Sequence, residues 1–202
     1  MELFLIIFII VYSIILHEIA HGYAAYRLGD MTAKYEGRLS LNPLVHIDIF
    51  GTILLPILGY MFGGVIFGWA KPVPYNPYNL NNPRRDSVAI ALVGPLTNLI
   101  IALLCVFMYK ILAVFNFDSF AGFDFLNLLK ETIKLNIALA VFNFLPIPPL
   151  DGSKLLLTKL SFEDYHQLEL LGFVLLIFLV FSSWLPVFVN IISSFVFRFF
   201  GI

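Results

Sequence analysis

Charge is scarce in this sequence. Lys, Arg, Asp and Glu supply 12% of its 202 residues, about half the share of an ordinary soluble domain. So few charges cannot cover a water-exposed surface, which argues against a conventional globular enzyme. No excess of basic residues offsets this. Twelve Lys and Arg against 13 Asp and Glu give a formal net charge of −1, so the basic footprint of a nucleic-acid binder is missing. Cysteine is reduced to Cys105, which excludes an intrachain disulfide and says nothing of the redox compartment. The first residues lack the positive n-region and small-residue cleavage site of a signal peptide, so the N-terminal apolar run reads as a retained span. There is no internal repeat and no low-complexity segment.

What the sequence has is apolar length. It is 60% hydrophobic, with a mean hydropathy of +0.94. Runs of about 20 apolar residues mark membrane-spanning helices. These fall at Glu2–Leu28, Ser87–Phe115 and Phe123–Leu145, and Leu168–Phe200 accommodates one span plus a shorter helix broken at Pro186. The expected fold class is an all-α polytopic membrane protein with about four to six transmembrane helices. The chain is expected to be one membrane-embedded domain over 1–202, with its core in 1–160 and C-terminal helices in 161–202.

Charge placement orients the spans. Arg27, Lys34 and Arg38 follow the first, Lys71, Arg84 and Arg85 precede the second, and Lys154 and Lys159 follow the third. The 116–122 link has no Lys or Arg. The positive-inside rule then puts the N-terminus outside and both ends of 29–86 in the cytoplasm. By parity, 48–69 must dip in and return or cross twice, as a re-entrant or hairpin element. Glu36–Ser40 and the proline-rich Val73–Leu80 are expected as short strands or extended loops at the membrane face.

The chemistry centres on His17-Glu18-Ile19-Ala20-His21, an H-E-x-x-H motif that follows the apolar run Leu3–Leu16. On a helix, residues i and i+4 share a face, so His17 and His21 can chelate one ion. Glu18 sits on the adjacent face, placed to work on a water rather than on the metal. Zinc suits such a donor set and needs a further ligand. Buried ionisable groups at membrane depth are costly and mark function. The second constellation is Asn143-Phe-Leu-Pro146-Ile-Pro148-Pro149-Leu150-Asp151-Gly152. Its prolines must break the third span. Asp151 is the candidate third ligand; the alternative is that it merely caps the next helix.

These segments, with Gly94-Pro95-Leu96-Thr97-Asn98 between them, resemble the site-2 protease family of intramembrane zinc metalloproteases. The resemblance follows the family's order from the first span to about Lys159 and is similar to the compact prokaryotic members, with no room for a PDZ or CBS domain. It implies one zinc ion per chain on His17, His21 and Asp151, with Glu18 as the acid/base. It also implies that Asn143 helps hold the substrate or its oxyanion. The implied partners are the lipid bilayer and a membrane-protein substrate with a transmembrane helix. The implied location is the plasma membrane, multi-pass, with the active site nearer the cytoplasm. On this reading the chain hydrolyses peptide bonds within or near transmembrane segments, as in regulated intramembrane proteolysis.

Two other classes remain open: a catalytically silent member that binds membrane partners, and a metal transporter or sensor. The remaining polar residues are less specific. His46 is expected as a structural histidine bonding a loop carbonyl, with an access-path or second-metal role as the alternative. Asn98 needs a polar partner in its apolar helix and either orients a substrate strand or bonds another helix.

Overall fold

The computed structural model describes residues 2–54, 57, 58, 61, 69–115, 119, 120, 123–181 and 184–202. Most of the described chain is helical. Helix α1 is Glu2–Arg27, and a single turn, α2, follows at Thr32–Tyr35. Helix α3 is Pro83–Val114, α4 Phe125–Phe144, α5 Phe162–Phe181 and α6 Trp184–Phe200. Among the described residues, Phe4–Arg27 and α3 are long and apolar enough to cross a membrane.

Helix α3 starts four residues before the expected apolar run. Pro83 occupies its first turn, where a missing N–H costs nothing, and Asp86 in the same turn accepts from the Asn82 N–H at 2.8 Å. Helices extend past the end of apolarity when such capping chemistry is present. Its 32 residues reach ~48 Å at 1.5 Å per residue. Helix α4 is capped by Asp124, whose Oδ1 accepts from the Asn127 N–H at 2.8 Å. It stops at Phe144, just before the prolines. The expected break at Pro186 is corrected. The last helix begins at Trp184, so Pro186 lies in its first turn, where no intrahelical partner is lost.

Helix α3 is the organising element and packs most extensively on α4 and next on α1. One core joins Ala102 and Val106 of α3 to Ile133 and Ile137 of α4, closed by Ile192 and Val196 of α6. A smaller core of Ala25, Leu80 and Ile90 fixes the C-terminal end of α1 against α3.

Neither segment expected to be extended at the membrane face, Glu36–Ser40 or Val73–Leu80, forms a strand. Residues 71–76 carry no regular secondary structure, with extended backbone at Asn76 leading into a 3-10 turn at Pro77–Asn79, and 36–42 is a succession of turns and bends. Ladder pairing among the described residues occurs elsewhere, between Ser119–Phe120 and Phe123–Asp124. Half of the expected re-entrant element, residues 55, 56, 59, 60 and 62–68, lies outside the described residues. Its two ends adjoin. The Trp69 N–H donates to Gly51 O at 3.2 Å, Thr52 Oγ1 donates to Trp69 O at 2.9 Å, and the Lys71 N–H donates to His46 O at 2.9 Å. A Cβ at Gly51 would overlap the Trp69 indole, so glycine permits the approach.

The 71–79 segment is tied down by Asp30, which is fully buried. Asp30 accepts from Thr32 Oγ1 at 2.6 Å, the Asn76 N–H at 2.8 Å and Asn79 Nδ2 at 2.8 Å. Burial pushes the Asp30 carboxyl up, but hydrogen bonds from Thr32, Asn79 and Asn76 outweigh it. The net result lies below the usual carboxylate value.

Candidate metal centre

His17 and His21 lie one turn apart on α1. Their Nε2 atoms are 3.0 Å apart. Asp151 Oδ2 lies 3.0 Å from His17 Nε2 and 3.2 Å from His21 Nε2. The three atoms form a nearly equilateral triangle. A tetrahedral zinc with bonds of ~2.0–2.1 Å sets its ligand atoms ~3.3 Å apart, so the triangle has the size of one tetrahedral face.

The tautomers point the same way. His17 Nδ1 donates to Asn98 Oδ1 at 2.6 Å, and His21 Nδ1 donates to Ile90 O at 2.8 Å. With the protons on Nδ1, both Nε2 atoms present lone pairs toward each other and toward a carboxylate oxygen. Three acceptors converging without a donor repel unless a cation sits among them. These residues can hold a metal ion, and two imidazoles plus one carboxylate suit zinc.

The surrounding sequence is built to let this happen. A Cβ at Gly94 would overlap the His21 ring and come within 2.7 Å of His17 Cε1. Only glycine lets α3 pass so close to the imidazoles. This gives the Gly94-Pro95 element a packing reason. Asn98, one turn on, is fully buried. Its Nδ2 donates to Asn136 Oδ1 at 3.0 Å, and Asn136 Nδ2 donates to Ser13 Oγ at 3.1 Å and Thr132 O at 3.0 Å. Asn98 therefore bonds two other helices, and one of its bonds fixes a His17 tautomer. Asn136 escaped the sequence reading. An Asn inside an apolar helix is the signal that could have found it.

Asp151 is not a cap. The 3-10 stretch Asp151–Thr158 has Leu150 at its N-cap, with no side-chain cap bond. Asp151 instead turns toward α1. Two contacts hold this turn from behind. Gly152 lies against the Phe144 carbonyl, where any Cβ would clash, so its role is close approach. Ser153 Oγ bonds the Tyr165 hydroxyl of α5 at 2.5 Å. Helix α5 is itself seated through Gly172 on the Pro148 carbonyl.

Glu18, His17, Asp151 and Asn143 line one cavity of about 430 Å³, with apolar walls that include Ile14, Leu139, Phe142, Phe173 and Leu176. Glu18 Oε2 accepts from the Val73 N–H at 2.9 Å. Asn143 Nδ2 donates to Leu139 O at 3.0 Å, one turn back in its own helix. His46 is elsewhere. It is buried and donates through Nε2 to Ser40 O at 2.8 Å, a structural loop bond as expected. His166 is exposed and pairs with Glu169.

Comparison with known proteins agrees with this chemistry. Residues 5–125 match the family model described as Peptidase family M50. "Putative zinc metalloprotease YwhC" of Bacillus subtilis is 41% identical over 155 residues, 76% of this chain and 67% of that protein. "Putative zinc metalloprotease Rip2" of Mycolicibacterium smegmatis is 32% identical over 161 residues, covering 77% and 57%. "Putative zinc metalloprotease MJ0611" of Methanocaldococcus jannaschii is 30% identical over 167 residues, covering 80% and 73%. The chain thus spans little more than half the length of the Rip2 protein. No solved structure matches it. The family match covers more than half of the chain and includes the whole His17–His21 motif, and by it the chain belongs to peptidase family M50, the site-2 proteases.

Proposed function

We propose that the chain is an intramembrane zinc endopeptidase that hydrolyses peptide bonds within or beside transmembrane helices of membrane proteins. The observation that carries this reading is the triangle of His17 Nε2, His21 Nε2 and Asp151 Oδ2, 3.0–3.2 Å on a side, whose two histidine corners lie on a helix apolar enough to cross a membrane.

His17, His21 and Asp151 would hold one zinc. When bound, such an ion would supply Lewis-acid polarisation and the acidification of a water toward neutral pH. Glu18 takes the proton from the attacking water and returns it to the leaving amine. Asn143, on the same cavity, donates toward the oxyanion that develops on the carbonyl. The apolar walls exclude bulk water and accept the hydrophobic side chains of a transmembrane segment. Such a helix hides its scissile bond behind backbone hydrogen bonds, so the segment must enter extended.

Four to six spans, an N-terminus outside, a plasma-membrane location and a 48–69 element that returns to the cytoplasmic side complete the reading. The adjoining of Gly51 with Trp69 and of His46 with Lys71 supports the return. Proteomics of membrane fragments tests it in cells. Fragments cut within apolar segments should accumulate with the wild type and not with Glu18→Gln. A silent partner-binding protein gives identical profiles, and a metal transporter shows metal flux that survives Glu18→Gln.

A further inference from the structure

Arg38 belongs to the loop whose basic residues were read as facing the cytoplasm, yet it is buried, 4% exposed. No carboxylate pairs with it among the described residues. A buried guanidinium without an acid is costly, so its place needs a reason. Its Nη2 donates to Lys71 O at 2.6 Å and to Pro72 O at 3.2 Å. The Pro72 carbonyl and the Val73 N–H are the two ends of one planar peptide. That N–H donates to Glu18 Oε2 at 2.9 Å.

A cation on the carbonyl strengthens the N–H as a donor, because bonds in series polarise one another. Pro72 and Pro74 have no N–H, so Val73 is the one donor in this stretch of three. The contact also depends on Gly22, one turn beyond Glu18 on the same face of α1. A Cβ there would lie 2.6 Å from Val73 Cγ1 and 2.6 Å from Leu39 Cδ2. The absent side chain lets both segments of the clamp, 38–39 and 71–73, rest on the helix beside the acid/base.

We propose that Arg38 is the positioning residue of Glu18, acting through the Pro72–Val73 peptide to fix the carboxylate that moves the proton. This rests on the protease reading above. It assigns to the 71–73 segment a task inside the chemistry, separate from any pairing with substrate.

The test uses the full chain in membranes or detergent, with zinc analysis, amide hydrogen exchange and cleavage of one membrane substrate. Wild type and Glu18→Gln run alongside. A wild type no faster than Glu18→Gln defeats the protease reading itself, and the exchange arm then judges Arg38 alone. With a working wild type, Arg38→Gln should keep its zinc and a KM within about twofold, while kcat falls roughly tenfold, the scale of one charge-assisted hydrogen bond. The Val73 amide should exchange faster. Arg38→Lys keeps a cation and should recover part of kcat; it carries the test if Arg38→Gln does not fold. In Val73→Pro the donor is already gone, so adding Arg38→Gln should cost little more. Unchanged kcat and exchange in a folded Arg38 variant overturns the proposal. So does loss of zinc or a KM effect in proportion to kcat, or full multiplication of the two losses in the double variant.

Discussion

His17 Nδ1 meets Asn98 Oδ1 at 2.6 Å across the α1–α3 interface, in a site where both residues are buried. This bond sets which imidazole nitrogen faces Asp151. Asn98→Leu should therefore weaken zinc binding by about 10- to 100-fold, the usual scale for removing a partner behind a metal ligand. Asp151→Ala should cost more, because it removes a corner of the triangle. Zinc titration in detergent reads both, and equal affinity in wild type and Asn98→Leu would show that the tautomer is set some other way.

Asn143 should matter for turnover more than for metal. Its amide lines the cavity of Glu18 and Asp151 and is held to Leu139 O. Asn143→Ala should keep near-normal zinc while kcat falls by roughly 10²-fold, the scale of one oxyanion donor. Asn143→Asp should be slower still, since a carboxylate repels the oxyanion. Zinc lost in step with activity would make the residue structural.

Buried Asp30 ties the chain just after α1 to the 76–79 turn through two part-buried bonds. Asp30→Ala strands those donors and should destabilise the fold by about 2–4 kcal/mol. The sign of the pH effect follows from its lowered carboxyl. The contribution is complete above the unfolded value of about 3.9 and is lost as pH falls toward the folded value. Thermal unfolding at pH 7 and below pH 4 should show the wild type's advantage over Asp30→Ala shrinking on acidification.

Topology is open to cysteine labelling in a chain freed of Cys105. Lys34 and Arg84 are both exposed and flank the 48–69 element. Single cysteines at the two positions should react from the same, cytoplasmic side. Labelling from opposite sides would mean a single crossing between them.

The sequence disclosed the parts of the site that depend on local periodicity. His17 and His21 share a face because any helix puts i and i+4 together, and Glu18 follows from the motif. Asp151 was legible only as a candidate, because its approach to α1 depends on the end of α4 at Phe144 and on glycine-permitted contact at Gly152. Asn98 announced that it needed a partner, yet its partner lies 81 residues away. Arg38 was misleading. A Lys or Arg in a short loop ordinarily faces water, and nothing local shows that this one turns inward onto two carbonyls. The Ser119–Phe120 and Phe123–Asp124 pair was also invisible, since two residues a side carry no alternation to read.

The most direct measurement is zinc content and peptide hydrolysis on the same preparations of wild type and Glu18→Gln. The Glu18 carboxylate lies beside the metal triangle and is not one of its corners, and an amide cannot accept the proton of the attacking water. About one zinc per chain in both proteins, with hydrolysis of a transmembrane substrate confined to the wild type, is the expected result. Turnover near wild type in Glu18→Gln, or a hydrolytic wild type that carries no zinc, contradicts it.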